Sequence, residues 1–533
     1  MKIVIADPLP ASAGELLRSE GWTVIDSKGL PPGGLDFAVS DADGLIVRSA
    51  TKVSSNLIDQ APRLRVIARA GTGVDNVDLA AASARGILVL NAPGANSISV
   101  AEHTVALMLA AARSIPLADA QMKAGNWEKK SHRGVELRGK TLGIIGLGRI
   151  GREVARRAAA FDMTVIAHDP FIVAPITGDT GIPLTSLDEL FERADFVTLH
   201  LPSTDSTRGL INRKRLKKSK RGIRIINTAR GDLIDEPALT EAILSGHVAN
   251  ASLDVFLKEP PADLSLTGLP QVLATPHIAA STVEAQEQVG LEAAASLRDY
   301  LCSGIVRNAV NFPSVPTEDM NRLQPYINLA DRLGSFLAQL SSGSPIQAIG
   351  IRYYGAIAEG NTEMLVGSAL VGIFRQILSS SVTLVNAGSI ASERGLEVIE
   401  SRSSRSRNFA SVISLKLHTE HGELWAEGAL FEPNSPRLVR LDGVEIEVPL
   451  DGTLFVIRNN DKPGVIGEVG TILGQNGINI ATFALGRHTE GAVGVVRVES
   501  TNQPATDSTA NARAIDELRQ IPAVQKAGIA TIP

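Results

Sequence analysis

The chain has 533 residues, 44% of them apolar, too many for one hydrophobic core and apolar enough for several, so about two to four domains are expected. Its 52 Lys and Arg stand against 57 Asp and Glu for a formal charge of −5, with no long run of one sign, which argues against nucleic acid or an anionic membrane as a partner. The single cysteine, Cys302, excludes an intrachain disulfide framework and a cysteine-rich metal site; with no apolar leader before Ile3 and no apolar run of spanning length, the expected location is the cytoplasm.

From residue 1 to about 310, short β-branched runs alternate with longer helical patterns, which predicts parallel sheets covered by helices on both faces. The first series of strands is read at Lys2 to Ala6, Leu45 to Val47, Val66 to Ala68 and Ile87 to Leu90. A second series covers Leu142 to Ile145, Thr164 to Ala167, Phe196 to Leu199, Ile223 to Ile226, Ala251 to Val255 and Val272 to Ala274. The fold class is therefore α/β, with two similar doubly wound sheets in tandem. Phe312-Pro313-Ser314-Val315-Pro316 is a stiff, helix-breaking boundary, and residues 320 to 450 mix helices with strands such as Ser411 to His418. The last stretch reads strand (Leu454 to Arg458), helix (Val465 to Gln475), strands (Asn479 to Leu485, Gly494 to Glu499), helix (Ala512 to Arg519) and strand (Val524 to Ala530), a ferredoxin-like order.

The strand ending at Ile145 runs into Gly146-Leu147-Gly148-Arg149-Ile150-Gly151 and then a helix. In that setting Gly146 permits the tight turn, Gly148 lets the backbone approach a pyrophosphate, and Gly151 lets the helix pack on the strand. The next strand ends at Asp169, a carboxylate placed to accept from ribose hydroxyls and repel a 2′-phosphate, which favours NAD over NADP as the cofactor.

Ligands of open α/β sheets lie beyond the carboxyl ends of the strands, and the polar residues that end this series are Asp169, His200, the turn Thr228-Ala229-Arg230-Gly231, Asp254 and His277. Oxidation of a hydroxy acid needs a base for the hydroxyl proton while hydride leaves the same carbon, and a cation for the carboxylate and developing carbonyl oxygen. His277 suits the first task and Arg230 the second. Glu259, if the chain turns at Pro260-Pro261, reaches His277 to orient its ring and fix its tautomer.

Gly146 to Gly151, Asn227 to Gly231, Leu253-Asp254-Val255-Phe256 with Glu259-Pro260-Pro261, and Thr275-Pro276-His277 together resemble, in order and spacing, the motifs of the D-isomer-specific 2-hydroxyacid dehydrogenases. The likeness covers essentially residues 1 to 310. It implies a catalytic set of Arg230, Glu259 and His277. Its cofactor contacts fall on Thr72, Gly146, Gly148, Arg149, Ile150, Gly151, Asp169, Leu201, Thr228, Ala229, Arg230, Asp254, His277 and Ala280, with Asp254 on the nicotinamide carboxamide. It also implies a substrate-binding domain formed by residues 1–97 and 285–311 around an NAD-binding domain of residues 98–284. Within the family, Arg48-Ser49-Ala50-Thr51 and the run Arg69 to Asp78 look like the branch that oxidises 3-phospho-D-glycerate to 3-phosphooxypropanoate, at the start of a route to serine. A phosphorylated substrate needs extra cations, and Arg48, Ser49, Arg69 and the turn Gly71-Thr72-Gly73 are placed to supply cations and N–H donors.

The family usually has glycine two residues after the histidine, where this chain has Ala279; a positive φ there would strain the turn. Residues 318–450 look like the intervening domain of the long branch, and 452–533 like an ACT domain, a module that pairs with its copy and binds amino acids. Asp461 and Asn479 match positions that hold serine in feedback-inhibited relatives, so L-serine is the expected effector of a homo-oligomer, dimer or tetramer; the basic group Lys129-Lys130-Ser131-His132-Arg133 is placed to reach a neighbouring subunit. Alternative readings are a glyoxylate or hydroxypyruvate reductase, a side reduction of 2-oxoglutarate, and an NAD-sensing binding protein that reuses the fold.

Overall fold

A computed structural model describes residues 1–26, 30, 33–172, 181–313, 317–341, 343–360, 362–378, 382–432, 435–488, 491–499 and 508–532; Ser314, Val315 and Pro316 of the expected boundary lie outside them. The first sheet holds β1 (Lys2–Ile5), β2 (Thr23–Asp26), β3 (Gly44–Val47), β4 (Val66–Arg69) and β5 (Leu88–Leu90), all parallel in the order β2-β1-β3-β4-β5. The second holds β6 (Thr141–Ile145), β7 (Thr164–His168), β8 (Phe196–Leu199), β9 (Ile223–Asn227), β10 (Val248–Leu253) and β11 (Val272–Ala274), again all parallel, in the order β11-β10-β9-β8-β6-β7. In both sheets the strand order reverses beside the first strand, and in such sheets the ligand crevice opens at that reversal.

Alternate side chains go to opposite faces of each sheet, and both faces are covered. In the first, Val4, Leu45, Ile67 and Val89 enter one core, while Ile3, Ile46, Val66 and Leu88 enter the other beside Leu297 and Leu301. Leu297 and Leu301 belong to the helix Val283–Ser303, so the chain returns to the first sheet after completing the second. The return is sealed beside β5, where Asn91 N–H donates to Asn308 O (3.0 Å) and Val310 N–H to Val89 O (2.8 Å). The outward crossing is made by the helix Ser97–Arg113, which packs under β9 and β10. The hydroxyls of Ser99 and Thr282 meet at 2.8 Å and tie the two crossings together.

In these two sheets the strands depart most from expectation at β2 and β10. β2 was not anticipated, because its sequence Thr-Val-Ile-Asp lies at a sheet edge and is half-exposed without clean alternation. β10 starts three residues earlier than read and stops at Leu253, because Asp254 already turns out of the sheet to serve the site.

The third sheet comprises β12 (Ile346–Gly355), β13 (Glu397–Ser403), β14 (Ser411–Thr419), β15 (Gly422–Leu430), β16 (Pro436–Leu441) and β17 (Val444–Pro449), in the order β13-β12-β14-β15-β16-β17. The fourth comprises β18 (Gly452–Asn459), β19 (Asn479–His488), β20 (Gly491–Glu499) and β21 (Val524–Ile532), in the antiparallel order β19-β20-β18-β21 expected of a ferredoxin-like unit. One face of this sheet is covered by its own helices Val465–Gln475 and Ser508–Leu518, the other by the long helix Thr317–Leu340 and the third sheet. Gln339 fastens that helix to β21 by donating to Thr531 O (2.9 Å) and accepting from Thr531 N–H (2.8 Å). Phe336 and Leu337 are fully buried there, each contributing about 1.5–3 kcal/mol relative to exposure.

Candidate active site

The glycine turn is built as its spacing predicts. Gly146 has φ +93° and lies so near His200 that a Cβ would stand 2.3 Å from the His200 carbonyl oxygen, while a Cβ on Gly151 would stand 2.2 Å from Gly146 O. At Gly148, in contrast, the space is open, and the helix Arg149–Ala159 begins there, presenting its first N–H groups to the cleft. Asp169 accepts from Leu147 N–H (2.9 Å) and Phe171 N–H (2.9 Å), which fixes the carboxylate beside the turn and leaves lone pairs for ribose hydroxyls. These residues fit a dinucleotide. Arg149 reaches over the Gly94 backbone at the crossing between the two sheets, Ile150 packs partly into the core, and Leu201 follows His200 at the turn. Burial pushes the His200 imidazole down to about 3, so His200 is neutral and structural.

Three adjacent strands, β9, β10 and β11, deliver Arg230, Glu259 and His277 from their carboxyl ends. The Arg230 turn is shaped by Asn227, fully buried, whose side-chain oxygen accepts from Ala229 N–H (3.0 Å) and whose amide donates to Arg230 O (2.7 Å). Gly231 lies flat against the next loop: a Cβ there would fall 1.9 Å from the Phe256 carbonyl carbon, so only glycine lets the arginine and glutamate loops meet. Glu259 is steadied by Phe256 N–H (3.1 Å) on Oε1 and takes His277 Nδ1 on Oε2 (2.7 Å). A carboxylate only accepts, so Nδ1 carries the hydrogen and Nε2 is left as the basic nitrogen.

His277 has φ +53°, in the left-handed region, and Asp254 holds it there. His277 N–H donates to Asp254 O (2.9 Å), Ile278 N–H to Oδ1 (2.9 Å) and Ala279 N–H to Oδ2 (2.9 Å). Thr275 Oγ1 donates to Oδ1 as well (2.6 Å). Burial pushes the Asp254 carboxyl up, but the hydrogen bonds from His103, Thr275, Ile278 and Ala279 outweigh it and hold the group below the usual carboxylate range. Asp254 is fully buried, and its carboxylate braces the histidine turn. One expectation is corrected here. Ala279 does not take a positive φ; the left-handed residue is His277 itself, so alanine fits without strain.

Across the cleft, the first sheet supplies the cations. Arg69 ends β4, and its guanidinium folds over Gly71, where a Cβ would collide with it. Its Nε is buried without a partner. Burial, then the neighbouring Arg230, and further Arg48, hold the Arg69 guanidinium below its ordinary range, with Asp75 and Asp7 opposing them. Arg230 crosses to this side: it lies against Gly73 and pairs with Asp75 at 3.3 Å. Three arginines around one opening favour a multiply charged anion. The Arg48 backbone is held by Asn76, whose amide donates to Arg48 O (2.6 Å); Ser49 is exposed. Thr72 donates to Asn96 (3.1 Å), at the crossing. The Thr228 side chain is buried and its hydroxyl meets Thr104 of the crossing helix at 2.9 Å. Ala280 O accepts from Gln286 (3.2 Å). Sequence reasoning assigned no role to His103, Asn227, Thr275 or Asp75; a histidine four residues after Ser99 on one helix face was the available signal for the first.

In the fourth sheet, Asp461 follows β18 with φ +48° and pairs with Arg487 at 3.1 Å. Asn479 opens β19 opposite Glu499, whereas the Asp461 end is the end of Asn459 and Ala492. The two expected effector residues thus lie at opposite ends of the sheet in one chain, separated by more than about 20 Å of strand.

Tandem parallel sheets, a pyrophosphate-ready glycine turn and a carboxylate-held histidine facing arginines define a 2-hydroxyacid dehydrogenase of the D-isomer-specific class. Residues 105–279 match the family model for the D-isomer specific 2-hydroxyacid dehydrogenase NAD binding domain, 322–442 that for the D-3-phosphoglycerate dehydrogenase intervening domain, and 453–518 that for the ACT domain. D-3-phosphoglycerate dehydrogenase from Methanocaldococcus jannaschii is 40% identical over 530 residues, 99% of each chain, and that from Archaeoglobus fulgidus 42% identical over 91% of this chain and 92% of its own. Among solved structures, D-lactate dehydrogenase from Aquifex aeolicus, complexed with NAD and lactic acid, is 30% identical at a TM-score of 0.51, covering 59% of this chain and 100% of its own. A glyoxylate reductase from Paecilomyes thermophila is 33% identical at 0.53, covering 58% and 98%. The chain belongs to the D-3-phosphoglycerate dehydrogenase family.

Proposed function

We infer that this enzyme oxidises 3-phospho-D-glycerate to 3-phosphooxypropanoate with NAD, the first committed oxidation of a phosphorylated route to serine. The observation that carries the chemistry is the His277 Nδ1–Glu259 pair, which leaves Nε2 free on the sheet edge that also bears the glycine turn. NAD supplies the hydride acceptor. His277 Nε2 takes the hydroxyl proton, and Glu259 stabilises the imidazolium that results. Arg230, which pairs with Asp75 at 3.3 Å, binds the substrate carboxylate and the developing carbonyl oxygen. Arg69 and Arg48 are proposed to take the phosphate, which suits the unpartnered Nε of Arg69.

The reading extends to assembly and control. Helix Ile115–Lys123 buries none of its residues, and Ile115, Leu117, Met122 and the nearby Trp127 are exposed, an apolar face suited to a second copy. Lys129, Lys130 and Arg133 are exposed beside it and are proposed to reach the neighbouring site. In the fourth sheet, β19 is one of the two edge strands. Two copies set antiparallel along β19 bring Asn479 toward the partner subunit's Asp461, which makes an amino-acid site for L-serine at the interface. A cytoplasmic site is proposed with it, where the exposed Cys302 thiol stays reduced.

The test is NADH production with 3-phosphoglycerate, glycerate and 2-hydroxyglutarate, with and without serine. Absence of turnover on all three refutes the enzymatic reading; equal kcat/KM on glycerate refutes the phosphate role of Arg48 and Arg69. Serine inhibition that survives Asp461→Ala refutes the effector site.

A further inference from the structure

The catalytic turn is not held by its own loop alone. The helix Ser97–Arg113 starts where the chain crosses between the two sheets, and three side chains within its first eight residues reach separate parts of the site. Ser99 meets Thr282 at the return crossing (2.8 Å), Thr104 meets Thr228 in the arginine turn (2.9 Å), and His103 Nε2 lies 3.2 Å from Thr275 Oγ1 and 3.5 Å from Asp254 Oδ1.

The direction of the hydrogen bonds in that last group is determined by elementary chemistry. The Thr275 hydroxyl has one hydrogen, and it goes to the Asp254 carboxylate at 2.6 Å, since a carboxylate offers none in return. Thr275 Oγ1 must therefore accept from His103, so Nε2 of His103 carries a hydrogen. This donation selects the one rotamer of Thr275 that serves the Asp254 carboxylate, which in turn gathers the N–H groups of residues 278 and 279, while the Asp254 carbonyl oxygen takes that of His277. The left-handed φ of His277 is a conformation that non-glycine residues hold only when their surroundings over-determine it, and the outermost member of those surroundings is His103.

We propose that His103 is a positioning residue for the hydride-transfer site: from the helix that begins at the crossing between the two sheets, it orients Thr275 on Asp254 and thereby keeps the His277 turn in its working conformation. His103 touches neither substrate nor cofactor in this role. The proposal rests on the dehydrogenase reading for its kinetic consequence, but the hydrogen-bond chain is testable without turnover.

The experiment uses the full-length enzyme with His103→Leu, which removes the donor, and His103→Gln, which keeps one, alongside Thr275→Val and Thr275→Ser as the matching pair. Loss of one buried, charge-linked hydrogen bond is expected to lower kcat about tenfold in His103→Leu and Thr275→Val, with KM for NAD unchanged and most of the rate restored in His103→Gln and Thr275→Ser. The double variant His103→Leu/Thr275→Val is expected to be no worse than the poorer single one, because both break the same chain. Independently of substrate, hydrogen exchange read on the peptide spanning residues 275–282 is expected to quicken about tenfold in His103→Leu relative to the wild type. Unchanged exchange there overturns the proposal, as does a glutamine variant as slow as leucine, or a loss confined to KM for NAD. A wild-type enzyme inactive on every hydroxy acid overturns the functional reading and leaves the exchange measurement to decide the proposal.

Discussion

The two halves of this chain use charge in opposite ways. In the first, a few polar groups at the ends of parallel strands converge on one cleft, and almost every one is tied to a neighbour that sets its direction: Asn227 for Arg230, Phe256 for Glu259, Asp254 for His277. In the second, charged pairs brace the third sheet around a cavity of about 1030 Å³. There Arg407 grips the nearly buried Glu427 with bonds of 2.7 and 2.9 Å, donates to Tyr354 Oη (2.7 Å) and stacks on its ring at 3.8 Å. Substitutions should therefore register in rate in the first half and in stability in the second.

The largest effect is expected at His277. His277→Ala should lower kcat about 10²–10⁴-fold with little change in thermal midpoint, since the side chain is half-exposed; near-wild-type kcat would remove it from the chemistry. Arg230→Lys keeps the charge but loses the planar fork, and kcat/KM should fall about a hundredfold, mostly through the hydroxy acid and not through NAD. Arg407→Leu leaves the nearly buried Glu427 carboxylate with the longer Arg440 contact at 3.6 Å and should cost about 2 kcal/mol in denaturant unfolding while kcat holds; a drop in kcat at unchanged stability breaks the division between the halves.

The smallest effect joins stability to pH. His200 has its folded value lowered from 6.5 to about 3, so the unfolded chain takes up a proton below 6.5 that the folded one refuses. Stability contributed by the neutral ring is thus complete above 6.5 and declines as pH falls toward 3, by at most about 1.4 kcal/mol per pH unit. Asp254, held low, loses its contribution only in stronger acid, below the ordinary carboxylate range. Thermal midpoints measured from pH 7 to pH 5 should therefore decline more steeply in the wild type than in His200→Gln; parallel curves would exclude His200 as the source.

Much of this was legible in the sequence wherever the requirement is local. The glycine turn, its strand and helix, and Asp169 stand within one βαβ unit, and steric limits on Gly146 and Gly151 translate directly into residue type. The hydrophobic runs of the parallel strands and the helix Val465–Gln475 were equally plain, since periodicity is a property of the segment itself. Arg230, Glu259 and His277 were found because the fold puts successive strand ends on one edge. What the tertiary structure alone decided is which partner each polar group takes. Asp254 ends a strand, and nothing in its neighbourhood reveals that its oxygens turn inward to three consecutive N–H groups 23 to 25 residues away. The left-handed residue proved to be His277 and not position 279, because the carbonyl and carboxylate of Asp254, not the local sequence, hold the N–H groups of that turn. Asp461 and Asn479, close in sequence, were parted to opposite ends of a sheet by strand register. A hydrogen bond is short-ranged and directional, so its partner is chosen by the three-dimensional approach of two elements, which no single stretch of chain encodes by itself.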